Sequence, residues 1–145
     1  MPERETLERA REDALEGKSP STQAGEFVRE EIHHVREGKH GVRSPQQAIA
    51  IGLSKARRAG VKLAPPKGSA STRKKTAQDT KAGSSPAHKP SVKRSRAVSG
   101  ALRHESRRGA STQALSRQAK KFATARGKQS RRQSALKAAR TRRAA

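Results

Sequence analysis

The segment SPQQAIAIGLSKARRAG, residues 44–60, carries the clearest helix signals in this chain. Ser44 suits the N-cap, Pro45 suits the first helical position, and Gln47 stands three residues after the cap, which completes a capping box. Apolar residues recur at helical spacing through the body of the segment. Two arginines and then Gly60 follow, as expected where a helix ends. The segment therefore predicts an amphipathic helix that stops at this glycine.

A small helical head, residues 1–66, is predicted around this segment. Residues 23–37 carry apolar side chains at helical spacing, and Gly38 is placed to end their helix. Residues 3–16 are strong helix formers with a thin apolar stripe. We therefore expect a mainly α fold whose head has two or three short helices, near residues 3–16, 23–37 and 44–59.

Apolar residues are scarce beyond the head. Of the 18 Leu, Ile, Val and Phe residues, 12 precede Pro66 and six follow it. Together they make up about 12% of the chain. Chains with less than roughly 20% of these residues and a high net charge are usually unable to bury a core. We therefore predict a disordered linker over residues 67–90 and a largely disordered, Ala-, Lys- and Arg-rich tail over residues 91–145. Within the tail, residues 115–126 and 131–143 favour two helices, broken near Gly127. Repulsion between their cations is expected to keep these helices weakly formed until phosphates neutralise the charge.

Charge is divided at the same point of the chain. Residues 1–66 hold 12 Lys/Arg and 10 Asp/Glu, whereas residues 67–145 hold 23 Lys/Arg and two acids, out of a net charge of +23. A polycationic segment favours a polyanionic partner, and nucleic acid is the abundant one. The predicted phosphate-binding residues are the clustered cations of this segment: Arg73, Lys74, Lys75, Lys93, Arg94, Arg96, Arg107, Arg108, Lys120, Lys121, Arg131, Arg132, Arg140, Arg142 and Arg143.

These patterns predict a non-enzymatic protein that binds DNA largely without sequence preference, in a nucleoid-associated or plasmid-maintenance role. The tail has one aromatic residue, Phe122, so base stacking contributes little. No cysteine, apolar membrane-spanning run or secretory signal is present, and we expect a cytoplasmic, nucleoid location without a membrane partner. An RNA- or ribosome-associated protein is the first alternative, because RNA also presents phosphates.

A protein-interaction adaptor that works through the head is the second alternative. Two or three short helices leave their apolar faces half covered, so we expect the head to pair with a second copy or with another protein. The residues expected to form that face are Phe27, Val28, Ile32, Val35, Ile49 and Leu53.

A metal site is the weaker interpretation of the histidines in the head. His33, His34 and His40 lie near Glu30 and Glu37 in sequence. Adjacent residues of a helix point in different directions, so the first two histidines are poor co-ligands. Zinc sites also show cleaner ligand spacing than this. We therefore predict neither a metal ion nor a cofactor.

Residues 23–37 and 44–59 could form either a helix-turn-helix or a plain helical hairpin. The intervening loop is longer than the usual three or four residues, although Gln46 and Gln47 could contact bases. The hairpin is favoured, since short helix pairs are far commoner than DNA readers. No phosphate loop, nucleophile elbow or metalloprotease motif occurs, so no catalytic residue is predicted.

Residues 26–63 resemble a family of small, basic, uncharacterised bacterial proteins, a domain of unknown function. The hallmark of that family, QAIAIGLS-x-AR-x-AG, corresponds here to Gln47–Gly60. Residues 116–143, SRQAKKFATARGKQSRRQSALKAARTRR, are similar to the Ala/Lys/Arg-rich ends of histone-like bacterial proteins. Members of the family tend to be labelled as DNA-binding or plasmid-stabilisation proteins. The resemblance implies a bacterial, intracellular, DNA-associated protein and assigns no catalytic or binding residue.

Overall fold

Helices make up all the regular structure in the described part of the chain. The structure is a computed structural model that describes residues 1–85 and 91–144. It contains seven α-helices and one short 3₁₀ helix within those ranges, in this order: α1 (Arg4–Leu15), α2 (Pro20–Glu37), α3 (Pro45–Arg58), α4 (Ala70–Ser84), α5 (Val92–His104), the 3₁₀ helix (Arg107–Ala110), α6 (Thr112–Ala125) and α7 (Gly127–Ala144). None of these helices is long and apolar enough to cross a membrane.

Serine caps begin both central helices. The Ser44 hydroxyl accepts a hydrogen bond from the Gln47 backbone N–H at 3.3 Å, as the sequence predicts for α3. Ser19 caps α2 in the same way, and Pro20 occupies its first turn. The second helix therefore starts three residues before the sequence-based estimate. It ends at Gly38, whose φ of 82° suits glycine.

The first core cluster surrounds Phe27 of α2, which is completely buried. Ala10 of α1, Ala24 of α2 and Ala56 of α3 complete the buried set. Small residues at these positions let the three helices approach closely around one aromatic ring. Partly buried aliphatic residues seal the edge of the cluster: Leu7, Leu53, Val61 and Leu63.

The second core cluster joins the head to the C-terminal half of the chain. Val35 of α2, Val42 of the loop and Ala48 of α3 pack against Ala110 of the 3₁₀ helix. All four are fully buried, with Ile32 and Ile51 packed beside them. Because Phe27 and Val35 lie inside the two clusters, these two members of the expected pairing face pack within the chain itself.

The prediction of a small head followed by a largely disordered tail is wrong. Helix α4 occupies residues 70–84 of the expected disordered linker, and helices continue through residue 144. The remainder of that linker, residues 86–90, lies outside the described residues. Alanine and long side chains favour helix in these segments, and Ser69 and Ser111 cap α4 and α6 by accepting from backbone N–H groups.

Backbone hydrogen bonds also attach the C-terminal half to the head. The Gly41 N–H donates to the Leu102 carbonyl at 2.8 Å, and the Val42 N–H donates to the Ser106 carbonyl at 2.9 Å. A Cβ atom on Gly109 would lie 2.7 Å from the Val42 carbonyl oxygen, so only glycine permits this approach. The sparse apolar content of the tail therefore does not prevent docking.

Candidate nucleic-acid interface

The end of the chain is rich in cations and has no carboxylate side chain. Residues 106–145 contain 13 Lys/Arg and neither Asp nor Glu. The last acidic residue, Glu105, accepts a hydrogen bond from Arg43 of the head at 3.1 Å. The positive charge of α6 and α7 is therefore unopposed by acids of their own segment.

Helix α7 presents five of its seven cations in two groups on one face, whereas Lys137 and Arg140 lie off it. At 100° per residue, Lys128, Arg131 and Arg132 share a face with Arg142 and Arg143. All five side chains are exposed. The two arginine pairs lie about 16 Å apart at 1.5 Å of rise per residue. Among the described elements, α7 packs only against α6, so this face is open to a large partner.

Helix α6 is held to α3 by a buried polar side chain and leaves three of its cations exposed. Gln118 is 8% exposed and accepts a hydrogen bond from the Gln46 amide of α3 at 2.6 Å. Arg117, Lys120 and Lys121 occupy a neighbouring face and are exposed. The hydrogen bond from α3 therefore fixes the orientation in which α6 presents these charges.

The other predicted phosphate-binding residues lie on separate elements. Arg73, Lys74 and Lys75 are on α4; Lys93, Arg94 and Arg96 are on α5; Arg107 and Arg108 are in the 3₁₀ helix; and all eight are exposed. One of them, Lys75, pairs with buried Asp79 at 3.0 Å. The predicted residues of α6 and α7 therefore lie on two successive helices. Lys75, in contrast, is engaged in an ion pair within the protein.

The helix-turn-helix arrangement receives no support from the glutamines of α3. Gln46 donates to Gln118, and the Gln47 side chain accepts from the Arg43 backbone N–H at 2.7 Å. The N-terminal part of α3 also packs against α6 and the 3₁₀ helix. Both candidate base-reading side chains are thus engaged in hydrogen bonds within the chain.

A group of buried charges lies between α2 and α3. Glu30 and Glu31 are 5% and 1% exposed, and the Lys55 ammonium lies 3.2 Å and 2.8 Å from their carboxylates. Burial lowers the pKa of Lys55, but the two carboxylates outweigh burial, so its pKa lies above the usual value. This lysine therefore stays charged and joins the two helices.

Two of the three histidines of the head lie close together beside these charges. His34 and His40 lie with their ring centroids 6.3 Å apart, whereas His33 is exposed. The rings meet because the left-handed turn at Gly38 directs the following loop back along α2. The helix-ending glycine was visible in the sequence, but the return path of the loop was not. Hydrogen bonds from His34 and Lys39 lower the pKa of Glu3 to about 2.

The described residues form an all-helical structure in which residues 106–144 carry many cations and no acidic side chain. Residues 20–68 match the model of a family of unknown function (DUF6496). This match covers about a third of the chain, spans α2 and α3, and supports the resemblance to an uncharacterised family. No curated protein and no solved structure matches the chain.

Proposed function

We propose that this protein binds duplex DNA, largely without sequence preference, through the cationic faces of α6 and α7. The observation that carries the proposal is the run of 13 exposed cations and no acids over residues 106–145, most of them on α6 and α7. Because these segments are helical in the structure, binding requires less ordering than binding by a disordered tail would.

Counterion release supplies the affinity. Each cation that neutralises a DNA phosphate releases condensed counterions into solution. Arginine dominates the binding face of α7, and its guanidinium can donate two parallel hydrogen bonds to one phosphate. The separation between Arg131–Arg132 and Arg142–Arg143 lets the two pairs contact different phosphates.

An isolated helix favours DNA over RNA. The major groove of B-form DNA admits an α-helix, whereas the major groove of A-form RNA is too deep and narrow for side chains to read. Helix α7 has 18 residues and packs only against α6 among the described elements, so it can approach such a groove.

The side chains of α7 also favour binding without base readout. Its glutamines, Gln129 and Gln133, lie off the cationic face by helical geometry. The face that approaches DNA therefore carries phosphate-binding groups and alanines. A DNA-binding protein of this kind is suited to a nucleoid-associated or plasmid-maintenance role.

The test is the salt dependence of DNA affinity, measured by fluorescence anisotropy on the full chain. The test variant is Arg131→Gln/Arg132→Gln/Arg142→Gln/Arg143→Gln. The control removes four exposed cations elsewhere: Arg11→Gln/Lys62→Gln/Lys67→Gln/Lys81→Gln. Both have the same net charge. The slope of log affinity against log salt should fall by up to about 3.6 in the test variant, at about 0.9 per lost phosphate contact, and should change little in the control.

Equal slopes for the test variant and the control would show that net charge, and not the face of α7, governs binding. Competition at one salt concentration between duplex DNA and a structured RNA separates the two nucleic acids. If RNA displaces the protein from DNA more effectively than unlabelled duplex does, the RNA-associated alternative replaces this proposal.

A further inference from the structure

We propose that Glu31, His34 and His40 form a binding site for a divalent transition-metal ion, with Zn²⁺ as the best match. Ligand atoms from these three side chains all lie within 4.8 Å of one another. Two imidazoles and one carboxylate are a known zinc-binding set that leaves a fourth position open. The inference is independent of DNA binding and is tested without nucleic acid.

One edge of the site already has the spacing of a metal centre. His40 Nε2 lies 3.2 Å from Glu31 Oε1. In a tetrahedral zinc site with bonds of about 2.1 Å, the ligand atoms lie about 3.4 Å apart. The His34 side chain is largely buried, 13% exposed, and its ring centroid lies 6.3 Å from that of His40.

Both histidines have an outer hydrogen bond that orients the ring. His34 Nε2 lies 2.8 Å from a carboxylate oxygen of Glu3, and His40 Nδ1 lies 3.1 Å from the Gly41 carbonyl oxygen. If these nitrogens carry the protons, His34 Nδ1 and His40 Nε2 remain as metal-binding lone pairs. A carboxylate or backbone carbonyl behind each imidazole is the usual support for a metal-bound histidine.

Glu31 is a buried carboxylate with one oxygen atom available to a metal ion. Its side chain is 1% exposed, and neither carboxylate oxygen receives a well-directed hydrogen bond from the described residues. Lys55 balances the charge of this carboxylate, but a buried oxygen atom without a well-directed hydrogen bond is energetically costly. Lys55 lies 2.8 Å from Oε2, which leaves Oε1, on the side of His40, for a metal ion.

The surrounding charge accommodates a divalent ion. Three carboxylates, those of Glu3, Glu30 and Glu31, are near the site and are opposed by two ammonium groups, those of Lys39 and Lys55. A surface cleft of about 260 Å³ lined by Glu30, His34 and Lys39 reaches the site on the His34 side, whereas Glu31 and His40 do not line it.

The experiment is calorimetric titration of the full chain with Zn²⁺ after removal of metals by a chelator. We expect one Zn²⁺ per chain and a loss of affinity of about 100-fold in His34→Ala/His40→Ala. The control, His33→Ala/His104→Ala, removes two exposed histidines and should bind Zn²⁺ as the wild type does. Equal losses in the two variants, or no saturable binding by the wild type, would overturn the proposal.

Cobalt provides a readout that needs no variant. Co²⁺ bound to the wild-type chain by two imidazoles and a carboxylate at a tetrahedral site gives visible absorption bands stronger than those of hexahydrated Co²⁺. Zn²⁺ should abolish these bands at one equivalent. If saturating Co²⁺ produces only the spectrum of the hydrated ion, the site does not exist, whether or not the double variant folds.

Discussion

Asp79 has a structural role that its position in a basic segment conceals. It is one of only two acids in residues 67–145, and it is 2% exposed. Its carboxylate accepts hydrogen bonds from Ser54 and Arg58 of α3, both at 2.8 Å, and from Lys75 of its own helix at 3.0 Å. This one side chain therefore connects α4 to α3 and forms ion pairs with two cations at the contact.

Replacing Asp79 by asparagine should destabilise the protein by about 1–2 kcal/mol at neutral pH, since hydrogen bonds to a charge contribute more than neutral ones but Arg58 and Lys75 are half exposed. Burial raises the pKa of Asp79, but the hydrogen bonds from Ser54, Lys75 and Arg58 outweigh burial and hold it below its usual value. The stabilisation is therefore present above about pH 4, the unfolded-state value, and is lost as pH falls through the lower folded-state pKa.

Urea denaturation at several pH values checks this expectation, with Glu12→Gln as a control for loss of an exposed carboxylate. The free-energy difference between wild type and Asp79→Asn should shrink in acid. A difference that is absent at pH 7, or that grows as pH falls, would contradict this role for Asp79.

Single residues also mark the limit of what the sequence reveals. The cap at Ser44 follows from local sequence alone, because the hydroxyl and the N–H that it accepts from are three residues apart. The pairing of His34 with His40 and Glu31 depends on how the loop after Gly38 returns, which is a tertiary property. Local spacing therefore favoured no metal site, whereas the folded chain brings three possible ligands together.

At the scale of helices, the sequence predicts those that carry both an apolar stripe and a cap. Residues 23–37 and 44–59 were expected to be helical on that basis, and α2 and α3 occupy these stretches. In the C-terminal half, the scarcity of apolar residues predicts disorder. That prediction is wrong because α4 and α6 are capped by serines and the segment docks through glycine contacts and backbone hydrogen bonds. Serine caps, glycine contacts and backbone hydrogen bonds do not raise the apolar content of a segment, so composition does not reveal them.

The contact between the 3₁₀ helix and the loop before α3 should fail when Gly109 becomes alanine. The new Cβ would lie 2.7 Å from the Val42 carbonyl oxygen and 2.8 Å from a Val42 methyl group. Overpacking of this kind typically costs about 1–3 kcal/mol. The measurement is amide hydrogen exchange at Val42, whose N–H donates to Ser106 across the contact.

Gly100→Ala is the matched control, because nothing lies within 4 Å of a Cβ at this position of α5. It should preserve protection of the Val42 amide and raise the helix propensity of α5. If Gly109→Ala leaves the Val42 amide as protected as Gly100→Ala does, the C-terminal half is not held to the head at this contact.

At the scale of the whole molecule, charge is the property most directly available from the sequence. The division between a nearly neutral head and a strongly cationic remainder depends only on composition and is independent of folding. The arrangement of these cations on helix faces does not follow from composition. The structure has successive helices with cations on defined faces, and the association with DNA stays a prediction from that arrangement.

The most direct test of the account is an NMR titration of the full chain with a short DNA duplex at low salt. Before DNA is added, Cα chemical shifts over residues 112–144 should already be helical, and on titration the largest amide shift changes should fall in α6 and α7. Helical shifts that appear only with DNA, or a footprint centred on α1–α3, would contradict the proposed interface.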